Sequence, residues 1–242
     1  MPHIVKAYDA EFAELDRMAA EMGGHAGRLL ADAFAALETR DPKRAEAAMA
    51  ADKAIDDLEV RIQERAVAMI AKWHPMADDL RHIMTLMKIA GALERIGDYA
   101  RNIAKRAITV SGQNHPRQLM TGLKHMTELA LLQLNDALVA LTTNDAEAAV
   151  SVWQRDVGLD EVYNSLFREM LTYMMEDPRN ISLCTHLLFI ARNLERIGDH
   201  TTTIAENVHY VATGKALEQR PKGTNTSSVM IEPEPRERSK AE

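Results

Sequence analysis

The stretch Leu93-Glu94-Arg95-Ile96-Gly97-Asp98 returns letter for letter as Leu194-Glu195-Arg196-Ile197-Gly198-Asp199. Around it the match continues. Ile89, Ala90, Ile103 and Ala104 meet Ile190, Ala191, Ile204 and Ala205 at the same spacing. Further upstream the spacing grows by three residues. There Leu30, Asp32, Ala33, Leu37, Asp41 and Ala45 meet Leu134, Asp136, Ala137, Leu141, Asp145 and Ala149, and Asp52 and Asp56 meet Asp156 and Asp160. Self-similarity at a fixed period marks a repeat architecture. The chain therefore reads as two copies of one unit, the second with a loop three residues shorter.

Composition sets the class of that unit. Of 242 residues, 46% are apolar and 27% charged, which is enough to bury a core. Aromatics are only 5% while Met reaches 14, and Ala is abundant. Strands favour β-branched and aromatic residues, whereas Ala, Leu, Met, Glu, Lys and Arg favour helices. The fold expected is all-α. Six helices are predicted, over about 4–37, 43–72, 76–111, 117–141, 146–175 and 179–213. Asp41 and Asp145 are the expected N-caps of the second and fifth, with Pro42 opening the second. Gly23 and Gly24 mark a bend in the first, and Gly214 closes the sixth. Three antiparallel helices with short loops can close a core. This gives two tandem three-helix bundles related by internal duplication, 1–112 and 113–214. The stretch 215–242 has three Pro, much charge and few large apolar residues, so it is expected to be a disordered tail.

A net charge of −7 argues against a nucleic-acid partner. The single cysteine, Cys184, allows no internal disulfide and suits a reducing compartment. It lies in an apolar run and reads as a buried hydrophobe. The N-terminal residues show no signal-peptide core, and no segment is long and apolar enough to cross a membrane. A cytoplasmic protein is expected.

Most repeated letters are apolar and need only a shared core. The repeated acids say more. Each unit carries two pairs at i, i+4 spacing: Asp52 with Asp56 and Glu94 with Asp98, then Asp156 with Asp160 and Glu195 with Asp199. Residues four apart share a helix face, where like charges repel. The pairs flank apolar positions and so sit at the edge of the buried face. If neighbouring helices bring two pairs together, four anions must protonate, recruit basic side chains or bind a cation. An oxygen-rich set suits Mg, Ca, Mn or iron, and Zn accepts carboxylates too. Asn102 extends the first line by one turn; its counterpart is Thr203. Glu59 lies one turn beyond Asp56; its counterpart is Tyr163. Arg95, Arg196, Arg101 and Arg192 lie close by, so a solvated face of ion pairs remains a competing reading. Gly97 and Gly198 favour a site. A mid-helix Gly costs about 1 kcal/mol relative to Ala, and its presence in both copies points to close helix approach or room for a ligand.

Other chemistry is thin. No phosphate loop, nucleophile elbow or nucleotide fingerprint is present, so no enzyme is expected. Glu206 and His209 form a single E-x-x-H pair, where a ferritin-like di-metal oxidoreductase uses two. His82, His186 and His200 read as packing or surface residues. That oxidoreductase and a metal-free helical scaffold are the alternatives to a metal-binding regulator.

The doubled L-E-R-I-G-D, each with a D-x-x-x-D on the preceding helix, resembles the PhoU family of bacterial phosphate-transport accessory and regulatory proteins. The resemblance covers about 4–214. It implies multinuclear metal clusters, of iron or zinc, held by Asp52, Asp56, Glu94, Asp98, Asp156, Asp160, Glu195 and Asp199. It implies action with the phosphate ABC transporter and a membrane-bound sensor histidine kinase, restraining the phosphate-starvation response and limiting uptake. It also implies a homodimer, at the inner face of the membrane through its partners. Thr203 opposite Asn102 and Tyr163 opposite Glu59 set the second cluster apart from the first.

Overall fold

The protein, seen in a computed structural model, is described over residues 2–217, without the side chains of residues 2–6 and of Asp156. The tail expected over 215–242 lies outside the described residues from 218 onward. Six helices follow in order: α1 (Pro2–Thr39), α2 (Pro42–Trp73), α3 (Asp78–Val110), α4 (Arg117–Thr143), α5 (Ala146–Glu176) and α6 (Ile181–Thr213). A 3-10 turn, Pro178–Asn180, leads into α6. No strand occurs among the described residues.

The helix boundaries follow from local chemistry. The Asp41 carboxylate accepts hydrogen bonds from the Lys43 and Arg44 amides, and Pro42 fills the first helical position. Asp145, its repeat partner, accepts from the Glu147 and Ala148 amides in the same way. Each side chain satisfies donors that the first turn leaves open. At the far end Gly214 adopts φ 72°, the left-handed conformation that stops α6 at little steric cost.

At Gly23 and Gly24, where a bend is expected, α1 continues as one helix. Gly23 serves a contact. A Cβ there would collide with the Leu138 side chain on α4, and Gly27 one turn on faces Leu134. Lys124 pairs with Glu38 at 3.1 Å further along the same two helices. As the α1 number rises, the α4 number falls, so the two run antiparallel. The third helices behave likewise. Arg106 meets His186, Tyr99 meets His200, and Thr85 lies by Val208. Tyr99 and His200 are repeat equivalents, and their rings are 5.6 Å apart. The two units are thus joined across a local two-fold relation.

Each unit is a three-helix bundle, α1 with α2 and α3, and α4 with α5 and α6. The apolar letters of the repeated motif, Leu93, Ile96, Leu194 and Ile197, are all at 0% exposure. Contacts of α3 with α6 and α1 with α4 carry the core across, and the buried side chains form one continuous cluster. The helices α2 and α5 stand outside, each against the first and third helices of its own unit. Cys184 is buried as expected, and burial raises its thiol pKa. No helix among the described residues is long and apolar enough to cross a membrane.

The two equivalent caps allow a direct check. Asp41→Ala and Asp145→Ala are each expected to lower unfolding free energy by about 1 kcal/mol. The double variant should lose the sum, since distant sites add. Equilibrium urea unfolding reads this, and an undiminished stability in both single variants would contradict the capping role.

Candidate metal centre

Gly97 brings α3 onto α2. A Cβ there would stand 2.9 Å from Ile55 Cδ1 and 3.1 Å from Asp52 Oδ1. The expectation of close approach at this glycine is met. Its consequence is that Asp52 is not at an edge but inside the groove, at 3% exposure. Its i+4 partner Asp56 remains exposed. A buried carboxylate loses its hydration and needs a positive or hydrogen-bonding partner. Arg101, one turn beyond Gly97, supplies it. The Arg101 Nε lies 3.1 Å from Asp52 Oδ2, and its Nη2 donates to Asp98 Oδ1 at 2.6 Å. One guanidinium thus ties a carboxylate of α2 to a carboxylate of α3.

The four predicted acids of the first unit lie close enough to influence one another's charge. Burial holds the Asp52 carboxyl above its ordinary pKa, Arg101 pulls it down, and Asp56 and Asp98 push it up. Glu94 is also raised, by burial first and then by Asp98, with Glu59 and Asp56 across the groove adding to it and Arg95 opposing. Arg95 lies 3.4 Å from Glu94 Oε2 and 3.5 Å from Asp98 Oδ2. Asn102 is exposed one turn past Asp98.

The second unit solves the same crowding differently. Glu195 is 5% exposed, and burial, then Asp199, raise its pKa to about 7, with Asp160 adding and Arg192 and Arg196 opposing. The Arg192 Nη1 donates to Glu195 Oε1 at 2.6 Å. The other oxygen, Oε2, is buried with no hydrogen-bond partner. Asp199 is exposed, and Asp160 is half-buried. The predicted fourth member, Asp156, has its side chain outside the described residues. Thr203 turns its hydroxyl to its own helix, donating to the Asp199 carbonyl at 3.1 Å.

Three further exchanges separate the sites, and all are visible once the repeats are aligned. Thr202 stands where the first unit has Arg101, and its hydroxyl donates to the Gly198 carbonyl at 2.9 Å. Arg192 stands where the first unit has Gly91, and its guanidinium lies 5.7 Å from the Tyr163 ring centroid. Tyr163 in turn replaces Glu59. The weaker candidates do not converge on either groove. Glu206 accepts from Trp153 Nε1, and the His209 ring meets the Lys215 carbonyl. His82 pairs with Asp16 at 2.7 Å, and His186 meets Arg106 at 3.2 Å.

Comparison with known proteins bears on the whole arrangement. The PhoU domain model matches residues 19–107 and again 123–208. The chain belongs to the PhoU family. A "Phosphate-specific transport system accessory protein PhoU homolog" of Rhizobium meliloti is 50% identical over 228 residues, 94% of this chain and 96% of that protein. The Escherichia coli "Phosphate-specific transport system accessory protein PhoU" is 35% identical over 213 residues, 88% of each chain. The crystal structure of PhoU from Pseudomonas aeruginosa superposes with TM-score 0.83 at 36% identity, over 86% of this chain and all of that one. The phosphate transport system regulatory protein PhoU of Streptococcus pneumoniae gives 0.80 at 30% identity, over 88% of this chain and all of that one. By these names it is a family of accessory proteins, not of enzymes.

The donor chemistry fits the metal that the family resemblance implies. The groups are carboxylates, hard oxygen donors, and Glu195 Oε2 is an orphaned acceptor in one groove. Convergence is incomplete: among the described residues no three His, Cys, Asp or Glu side chains are gathered to hold an ion. In the first groove the Arg101 guanidinium lies between Asp52 and Asp98.

The raised Glu195 gives a pH signature in chelator-treated protein. The unfolded chain releases this proton near the ordinary 4.5, the folded chain near 7. Between those values the folded state binds more protons, so its stability falls as pH rises. Glu195→Gln removes this contribution. The variant should be the more stable at pH 8, by up to about 3 kcal/mol, with the difference vanishing below about pH 4.5. Identical pH profiles by urea unfolding would contradict the assignment.

Proposed function

We propose that this chain is a metal-binding regulator of phosphate transport that works by docking rather than by catalysis. In this reading it acts at the inner face of the cytoplasmic membrane, on the phosphate ABC transporter and on a sensor histidine kinase. It restrains the phosphate-starvation response when phosphate is plentiful and limits uptake. The working form is a homodimer, each chain comprising units 1–112 and 113–214 and the tail 215–242. Family membership supports the phosphate role, because the relatives are named for the phosphate-specific transport system.

The observation that carries metal binding is Glu195. It is a buried carboxylate with one oxygen unpartnered, beside Asp160 and Asp199. Asp52, Asp56, Glu94 and Asp98 would hold ions in the first groove, and Asp156, Asp160, Glu195 and Asp199 in the second. Asn102 adds an oxygen at the first. Iron or zinc, bridged into a multinuclear cluster, suits this donor set. A bound cation would offset the mutual repulsion of the clustered acids. This chain's residues hold the helix pairs together once that repulsion is offset, and binding to the folded state stabilises it.

The ion pairs of Arg101 and Arg192 favour a second reading, in which the acids only make ion pairs on a metal-free scaffold. Metal analysis separates the two. Protein purified without chelator should carry more than one iron or zinc per chain, and Glu94→Ala with Asp98→Ala should reduce that count. Metal-free protein would leave the scaffold. The regulatory claim is tested apart from it: deleting the gene should switch on a phosphate-starvation reporter in rich phosphate. Normal repression in the deletion strain would sink the adaptor role.

A further inference from the structure

Where α3 crosses α6, away from both acidic grooves, Arg106 carries a charge that no acid answers. Its guanidinium carbon lies 4.1 Å from the centroid of the Phe189 ring, and its Nη1 donates to His186 Nδ1 at 3.2 Å. A guanidinium only donates, so the imidazole accepts there and offers no negative charge. Among the described residues no carboxylate lies within 4 Å of this guanidinium. Burial lowers its pKa, and no acid acts against that. Arg106 is half-buried, while Phe189 is 50% exposed. Both conditions cost free energy. A partly desolvated cation lacks its counter-charge, and a large ring stands in water. The ring face offsets only part of the first cost.

The corner occurs once. Its repeat equivalent holds Lys88, Asn207 and Thr85 in place of Phe189, Arg106 and His186, and Asn207 donates to the Thr203 carbonyl of its own helix at 2.8 Å. Farther along the same seam Arg95 and Arg196 are exposed, and both lower the His200 pKa after burial does.

We propose that Arg106 and Phe189 form the contact point for an acidic segment of a protein partner, which sets a carboxylate on the guanidinium and an apolar side chain on the ring. The proposal rests on the reading of this chain as a docking regulator. The two unmet costs select the occupant. A free oxyanion answers the charge and leaves the ring wet. An anionic membrane meets a chain of net charge −7 and is repelled by it. A short acidic segment answers both costs at one point, and carboxylates pair with guanidinium through two parallel hydrogen bonds. Arginine and aromatic side chains are those that dominate protein contacts. A segment continuing along the seam meets Arg196 next.

The test uses the full-length chain in its host, with p-benzoylphenylalanine in place of Phe189. Illumination of the cells should cross-link it to a component of the phosphate transporter or to the sensor kinase, at a peptide with Asp or Glu within a few residues of the link. Arg106→Glu should cut the yield at least about tenfold, the effect of losing a hot-spot side chain. Arg106→Gln, which keeps a donor for His186, should also cut it, and both variants should melt close to the parent. Changing the linked partner acid to Lys should restore the yield with Arg106→Glu. If the benzoyl chain does not complement the deletion, the probe is placed at Asn193, one turn along α6. A link only to a second copy or to the chain's own residues 218–242, or a yield indifferent to charge reversal, would overturn the proposal. So would binding to phosphatidylglycerol vesicles, or a rise in melting temperature with inorganic phosphate, that Arg106→Glu abolishes. Derepression in the deletion strain without any link to transporter or kinase overturns this contact and leaves the regulator standing. Normal repression there removes the regulator reading itself.

Discussion

A carboxylate pressed against a glycine in the groove between two helices cannot remain alone. Asp52 is in that position because α3 carries no Cβ at Gly97, and its charge must be answered from within the groove. Arg101 answers it and reaches Asp98 at the same time. Around this contact the rest of the unit is ordinary: Ile55, Leu93 and Ile96 are fully buried beside it. The acids are thus held by a core that would form without them, which keeps a charged groove rigid.

The two units share a scaffold and differ in the charges placed on it. Arg192 and Tyr163 stand where the first unit has Gly91 and Glu59, so a positive side chain and an aromatic ring occupy what is an acidic corner in the first unit. Thr202 stands where the first unit has Arg101. In one unit the guanidinium binds the two helices together. In the other it neutralises one helix and leaves an oxygen unserved.

Much of this was legible in the letters. Helical period, the Asp41 and Asp145 caps and the doubled motif gave six helices with ends close to those observed. Spacing alone put Asp52, Asp56, Glu94 and Asp98 on facing helices. Depth was not legible: Asp52 and Glu195 are buried, while Asp56 and Asp199 are exposed, because i, i+4 spacing does not distinguish the two ends of a pair. The contact that Gly23 makes with Leu138 was not legible either, because a glycine pair is compatible with both a bend and a close contact. The reach of Arg101 was also hidden. Its place near the motif could be read, but whether it bridges two helices or points to water depends on the crossing of α2 and α3.

The antiparallel seating of α3 on α6 and of α1 on α4 has a consequence for the newborn chain. During synthesis the first unit leaves the ribosome about 100 residues before α6 is complete, a delay of roughly 5–20 s at common elongation rates. Throughout that interval the core faces of α1 and α3 that later receive α4 and α6 stay wet. A chain with this topology finishes folding only when its last helix arrives, and a ribosome that stops early releases a protein with an open seam.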